Sequence, residues 1–162
     1  MNSVSFAAAW AVSANDQLVL ALQALGAALL GALVGFERGR SGKDAGMRTH
    51  ALVATASAIA CGLGNMLITS MDQTGDATRT LHAIITGVGF IGAGAILHSE
   101  NGTTGVTTAA SVLFVAILGG CVGLGAPLLA LLGCVMALVV LRVLGRWQHT
   151  RQHKGDAIHL DE

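Results

Sequence analysis

Residues 17–36 read QLVLALQALGAALLGALVGF, a run without a single charged side chain that stops at Glu37-Arg38. A helix advances about 1.5 Å per residue, so about 20 apolar residues cross the hydrocarbon core of a bilayer. The run has that length and that character. Similar stretches follow at 49–69, 80–97, 106–124 and from Pro127 to about residue 144. Pro127 suits the first turn of a helix, where its missing N–H is not needed. None of the stretches carries the polar face of a soluble amphipathic helix. The chain therefore reads as an all-α, polytopic transmembrane bundle of about five spans.

Composition agrees. Only 11% of the 162 residues are charged and 53% are hydrophobic, where a soluble domain carries about 25% charge. The 22 glycines lie largely within apolar runs, where small residues let helices approach closely. Formal net charge is zero, so no global field recruits nucleic acid. Cys61, Cys121 and Cys134 are widely spaced and fit no zinc pattern. They read as small apolar residues with free thiols.

The basic residues set the orientation. Eight of the nine Lys and Arg residues, all but Arg79, fall on one side if the spans number five. The positive-inside rule makes that side the cytoplasm, with the N-terminus outside and the C-terminus inside. This divides the chain into an outer N-terminal segment, 1–16, a transmembrane domain, 17–146, and a short cytoplasmic tail, 147–162. Val12-Ser13-Ala14 has a faint likeness to a signal cleavage site, but no Lys or Arg precedes it. Trp147 stands where an interfacial anchor would. His149 and His153 could share a helix face in the tail, too few ligands for a metal site.

Three stretches could carry chemistry. Residues 35–50, GFERGRSGKDAGMRTH, mix acid and base where spans one and two meet the cytoplasm. The short loop can bring Glu37 and Arg48 together as an ion pair; the plainer reading is interfacial anchoring. Residues 86–95, TGVGFIGAGA, contain the GxGxxG string of dinucleotide sites, but within an apolar span and without a strand before it. Close helix packing and a local break lining a polar cavity both remain open. Ala27, Gly31 and Gly35 form a small-residue stripe on span one, for which Gly87, Gly89, Gly92 and Gly94 are the expected partners. Residues 102–111, GTTGVTTAAS, lead into span four. They can bind an anion at the helix N-terminus or simply cap it.

All three stretches reach the inner-leaflet level. The expected functional cluster is Glu37, Arg38, Lys43, Arg48, Thr49, His50, Thr107 and Thr108. No HExxH zinc site or GxSxG elbow occurs, so no catalytic residue, metal or cofactor is called for.

These stretches together resemble the membrane domain of the MgtC/SapB family. The first matches G-x-E-R-x-x-x-x-K-x-A-G-x-R-T-H, and G-x-G-F-x-G-A-G and a threonine motif follow in order. The likeness covers about 17–146. It places the family's characteristic residues on Glu37, Arg38, Lys43, Gly46, Arg48, Thr49 and His50, then on Gly87, Gly89, Phe90, Gly92, Gly94, Gly105, Thr107 and Thr108. The sequence departs from the pattern at Ala83, often glutamine, and at Thr104, often arginine. The resemblance implies a non-enzymatic inner-membrane protein without a C-terminal cytosolic domain. It would be linked to magnesium homeostasis and stress or virulence adaptation through membrane partners, such as ATP synthase, a transporter or further copies of itself. The alternative class is a small-ion transporter or channel.

Overall fold

The computed structural model describes residues 13–70, 78–99 and 102–158. The N-terminal segment through Val12, the loop bearing Asp72 and Asp76, and the side chains of Trp147, His149 and His153 lie outside the described residues. Five helices are described: α1 (Ala14–Arg40), α2 (Met47–Ser70), α3 (Thr78–Gly94), α4 (Val106–Gly123) and α5 (Pro127–Ile158). A short antiparallel hairpin, β1 (Leu97–Ser99) and β2 (Gly102–Thr104), joins α3 to α4. The molecule is an all-α bundle.

Four helices are long and apolar enough to cross a membrane: α1, α2 over Met47–Thr69, α4, and α5 over Pro127–Gly145. At 17 residues, α3 is shorter than the expected third span, about 25 Å. It ends at Gly94 rather than continuing to Leu97. The Ala95 N–H still reaches the carbonyls of Ile91 and Gly92. Leu97 then pairs with Thr104 in the hairpin. The hairpin hands the chain to α4 through Gly105, at φ +86°. A side chain there would be strained and would also collide with the Ala95 carbonyl.

Local sequence explains the ends of α1. Ser13 caps it by accepting from the Asn15 N–H at 3.3 Å. Asp16 in the first turn and Arg38 and Arg40 in the last complement its dipole. Gly42, at φ +68°, lets the following turn close; the Lys43 N–H donates to the Arg38 carbonyl at 3.2 Å.

Side-chain size divides the surface of α1. Leu18, Leu22, Leu25, Leu29 and Leu33 are exposed, while Ala24, Ala27, Gly31, Val34 and Gly35 are buried. Exposed apolar surface on this scale suits lipid rather than water. The buried small residues allow backbone contact between helices. A Cβ on Gly31 would fall on the His50 carbonyl and within 2.9 Å of the Ala54 Cβ. One on Gly35 would come within 2.7 Å of the Gly46 carbonyl. The α1 stripe therefore packs on α2, not on the glycines of α3.

Helix α4 sits at the centre and touches the other four helices. Cβ atoms on its Gly119 and Gly123 would strike the carbonyls of Ala54 and Ala58 of α2. Ala54 is thus pressed by Gly31 from one side and by Gly119 from the other. Toward the far end, Gly62 lies against Leu20 and Gly64 against Thr80. At the near end, Gly92 lies against Ala109. The five helices alternate in direction. The end of α1, the start of α2, the end of α3, the start of α4 and Arg142 of α5 share one end of the bundle.

Around α3, Gly87, Gly89 and Gly94 have open space where a Cβ would stand. Only Gly92 of that string meets a neighbour, with the Ala109 Cβ 3.4 Å from its would-be Cβ. Their spacing cannot all face α4: residues two apart lie roughly 200° apart around a helix. The three cysteines are free thiols.

Candidate functional site

Among the described residues, four polar side chains are buried at the shared end of the bundle: Arg38, His50, Thr108 and Ser111. His50 is fully buried. Its Nδ1 lies 2.9 Å from the Gly46 carbonyl. A carbonyl can only accept, so Nδ1 carries the proton. Its Nε2 then accepts from the Ser111 hydroxyl at 3.0 Å, or that hydroxyl's single proton goes instead to the Thr108 carbonyl at 2.8 Å. This chain of contacts ties the start of α2 to the first turns of α4. Arg38, at the end of α1, donates from Nη2 to the Thr108 hydroxyl at 3.3 Å. Its Nε is buried and has no hydrogen-bond partner among the described residues.

Glu37 faces the other way. Neighbouring residues on a helix are about 100° apart, so Arg38 points toward α4 while Glu37 points toward α5. The Glu37 carboxylate accepts from Arg142 Nε at 2.8 Å. The expected Glu37–Arg48 pair is therefore not the one that forms. Arg48 is exposed, and it lies roughly 200° around α2 from His50, which marks the buried face. The Arg142 side chain is half exposed, so the pair contributes less than about 1 kcal/mol.

The expected cluster thus separates into two groups. Arg38, His50 and Thr108 are brought together in the interior, while Glu37 of α1 turns to Arg142 of α5. Lys43, Arg48, Thr49 and Thr107 are exposed around the same end. Ser111 and Arg142 complete the arrangement without having been singled out as site residues. Ser111 was legible in principle, one helical turn after Thr108 and so on the same face. Arg142 counted only among the basic residues that set the orientation; a charge near the end of an apolar helix calls for a partner without naming one.

Residues 25–150 match the MgtC family. The chain belongs to the MgtC family. It is 41% identical over 131 residues to "Putative magnesium transporter YhiD" of Escherichia coli, covering 78% of this chain and 58% of that protein. It is 36% identical over 150 residues to Protein SrpB of Synechococcus elongatus, covering 83% of this chain and 79% of that one. With Protein MgtC of Salmonella typhimurium it shares 40% identity over 105 residues, 64% of this chain and 43% of that protein. The chain thus spans little more than half the length of the YhiD relative. No solved structure matches. As an MgtC-family member with membrane-spanning helices, the chain is a non-enzymatic, multi-pass protein of the bacterial inner membrane, in contact with the lipid bilayer.

Proposed function

We propose that this MgtC-family protein serves magnesium homeostasis and stress adaptation by engaging membrane partners through the rim of its basic end. The exposed group Lys43, Arg48, Thr49 and Thr107 carries the reading. These side chains are exposed, so little packing explains them, yet they ring the end at which α1, α2 and α4 form the buried polar cluster. A partner carboxylate or a lipid phosphate matches the guanidinium fork of Arg48. The uncovered glycines of α3, beside an exposed Phe90, offer a second contact surface for a membrane partner such as ATP synthase, a transporter or another copy of this chain.

In this reading the protein crosses the membrane five times, with the N-terminus outside and the basic end in the cytoplasm. The alternating helix directions and the one-sided Lys and Arg residues support it. The short α3 can complete its crossing with the hairpin and a locally thinned bilayer. Single cysteines introduced at Arg40 and Arg79 test the arrangement. Impermeant maleimide should label Arg79→Cys from outside and Arg40→Cys only after the cytoplasmic face is opened. The reverse pattern would overturn the orientation.

Arg48→Glu tests the function. The side chain is exposed, and surface changes cost within about 0.5 kcal/mol, so abundance should stay normal. Growth in low magnesium should fall to that of a strain without the protein. Wild-type growth at normal abundance would contradict the rim reading.

The rival reading is small-ion transport, favoured by the magnesium transporter in the YhiD relative's name. The helix interiors speak against a polar path through one chain. The hydroxyls of Thr55 and Thr86 are turned onto the carbonyls of Ala51 and His82. The buried polar side chains include no carboxylate among the described residues, while Mg²⁺ prefers oxygen ligands and gives up its water reluctantly. Flux measurements in liposomes separate the two readings.

A further inference from the structure

We propose that Arg38 and the first turn of α4 hold a phosphate oxyanion, an inference that deepens the functional reading of this end of the bundle. The starting observation is a buried cation that no carboxylate contacts among the described residues; Glu37 acts on it only through space. Arg38 is 6% exposed. Its guanidinium has five donors and no acceptor. Among the described residues its Nε is buried without a partner, and Nη2 has the long 3.3 Å contact with the Thr108 hydroxyl. The neighbouring carboxylate, Glu37, is committed to Arg142 on the far side of α1. The buried polar side chains His50, Ser57, Thr108 and Ser111 supply no negative charge. A buried charge left in this condition is costly.

The second observation is independent of the first. Arg38 reaches Thr108, and Thr108 belongs to the first turn of α4. That helix starts at Gly105, which has no side chain to cap it, and no side-chain cap is made. Its ladder begins with the Ala109 N–H donating to the Gly105 carbonyl at 2.9 Å. The N–H groups of Val106, Thr107 and Thr108 come before that first bond. A helix N-terminus is electropositive and favours an anion. The fold has brought a cation there instead. The contact with Thr108 brings the cation to this electropositive end, and in the proposal an anion bound there satisfies both.

The donor set indicates which anion. The guanidinium edge offers two parallel N–H bonds, which match two oxygens of one group. The Thr108 hydroxyl accepts from Arg38, so its own proton is free to donate. Backbone N–H groups add donors from a third direction. An ion with several oxygens in a tetrahedral arrangement uses all of them. Entry lies on the side of Val106 and Thr107, both exposed. The exposed Arg40, Lys43 and Arg48 around this end raise the local concentration of anions. At a membrane edge the phosphate can be a lipid headgroup or a free ion.

The test uses the full chain in an uncharged detergent, with chloride at matched ionic strength as the reference. The probes are inorganic phosphate and short-chain phosphatidylglycerol, and the readout is the thermal unfolding midpoint. The wild-type protein should show a saturable rise. Arg38→Lys keeps the charge but loses the fork, and should bind roughly tenfold more weakly. Thr108→Val is nearly isosteric, should weaken binding similarly, and carries the comparison if Arg38→Lys does not fold. A rise with both probes assigns a free phosphate group, and a rise with phosphatidylglycerol alone assigns a headgroup. No rise with either probe overturns the proposal, as does an equal rise in Thr108→Val. The rim reading is judged separately by Arg48→Glu and growth, so either can fail without the other.

Discussion

Gly119→Ala is expected to destabilise the protein by up to about 2 kcal/mol, although alanine is the better helix former. The added Cβ would land on the Ala54 carbonyl of α2, a backbone atom that cannot rotate away. Overpacking of this kind costs about 1–3 kcal/mol and sometimes more. The gain in helix propensity from glycine to alanine is only about 1 kcal/mol, so the clash wins. Gly31→Ala should behave alike, because its Cβ would meet the His50 carbonyl and the other side of Ala54. Gly89→Ala is the control. It has no neighbour within reach, so the isolated chain should be unchanged or slightly more stable. Thermal unfolding in detergent compares the three. Wild-type midpoints for both Gly119→Ala and Gly31→Ala would show that the helices are not in backbone contact.

Replacing His50 should produce the other large loss. His50 has the greatest volume among the fully buried side chains and stands where α1, α2 and α4 meet. His50→Ala removes a ring-sized volume, and truncations of that size cost about 3–5 kcal/mol. His50→Phe separates packing from hydrogen bonding. It keeps most of the volume and loses the contacts to Gly46 and Ser111. The Gly46 carbonyl still accepts the His50 backbone N–H at 3.2 Å, and Ser111 keeps the Thr108 carbonyl. The polar loss should therefore be only about 1 kcal/mol. If His50→Ala and His50→Phe unfold together well below the wild type, the hydrogen bonds and not the packing dominate this junction.

The membrane character was legible in the sequence, because a chain with 11% charge and several apolar runs near 20 residues can satisfy its backbone in lipid only by forming helices. The expected boundaries at Gln17, Glu37-Arg38 and Pro127 lie within a few residues of the observed helix ends. The end of α3 did not. Nothing apolar changes between Gly94 and Leu97; the break is made by the hairpin pairing and the positive φ at Gly105.

The cluster at the basic end was legible as a level in the membrane but not as an arrangement. Residues 35–50 and 102–111 had to meet at one end, because helix length and alternation fix depth. Rotation about each helix axis was not fixed by the sequence, since lipid lacks the polar face that would mark the outside. In α1 the signal was size, with leucines outward and Ala27, Gly31 and Gly35 inward. That stripe shows that some helix approaches closely, not which one. Only the tertiary structure decided that α2 lies against it, that Glu37 turns to Arg142 while Arg38 turns to Thr108, and that Arg48 stays outside. Each of those choices depends on the angular position of a side chain, and a difference of one residue moves it by about 100°.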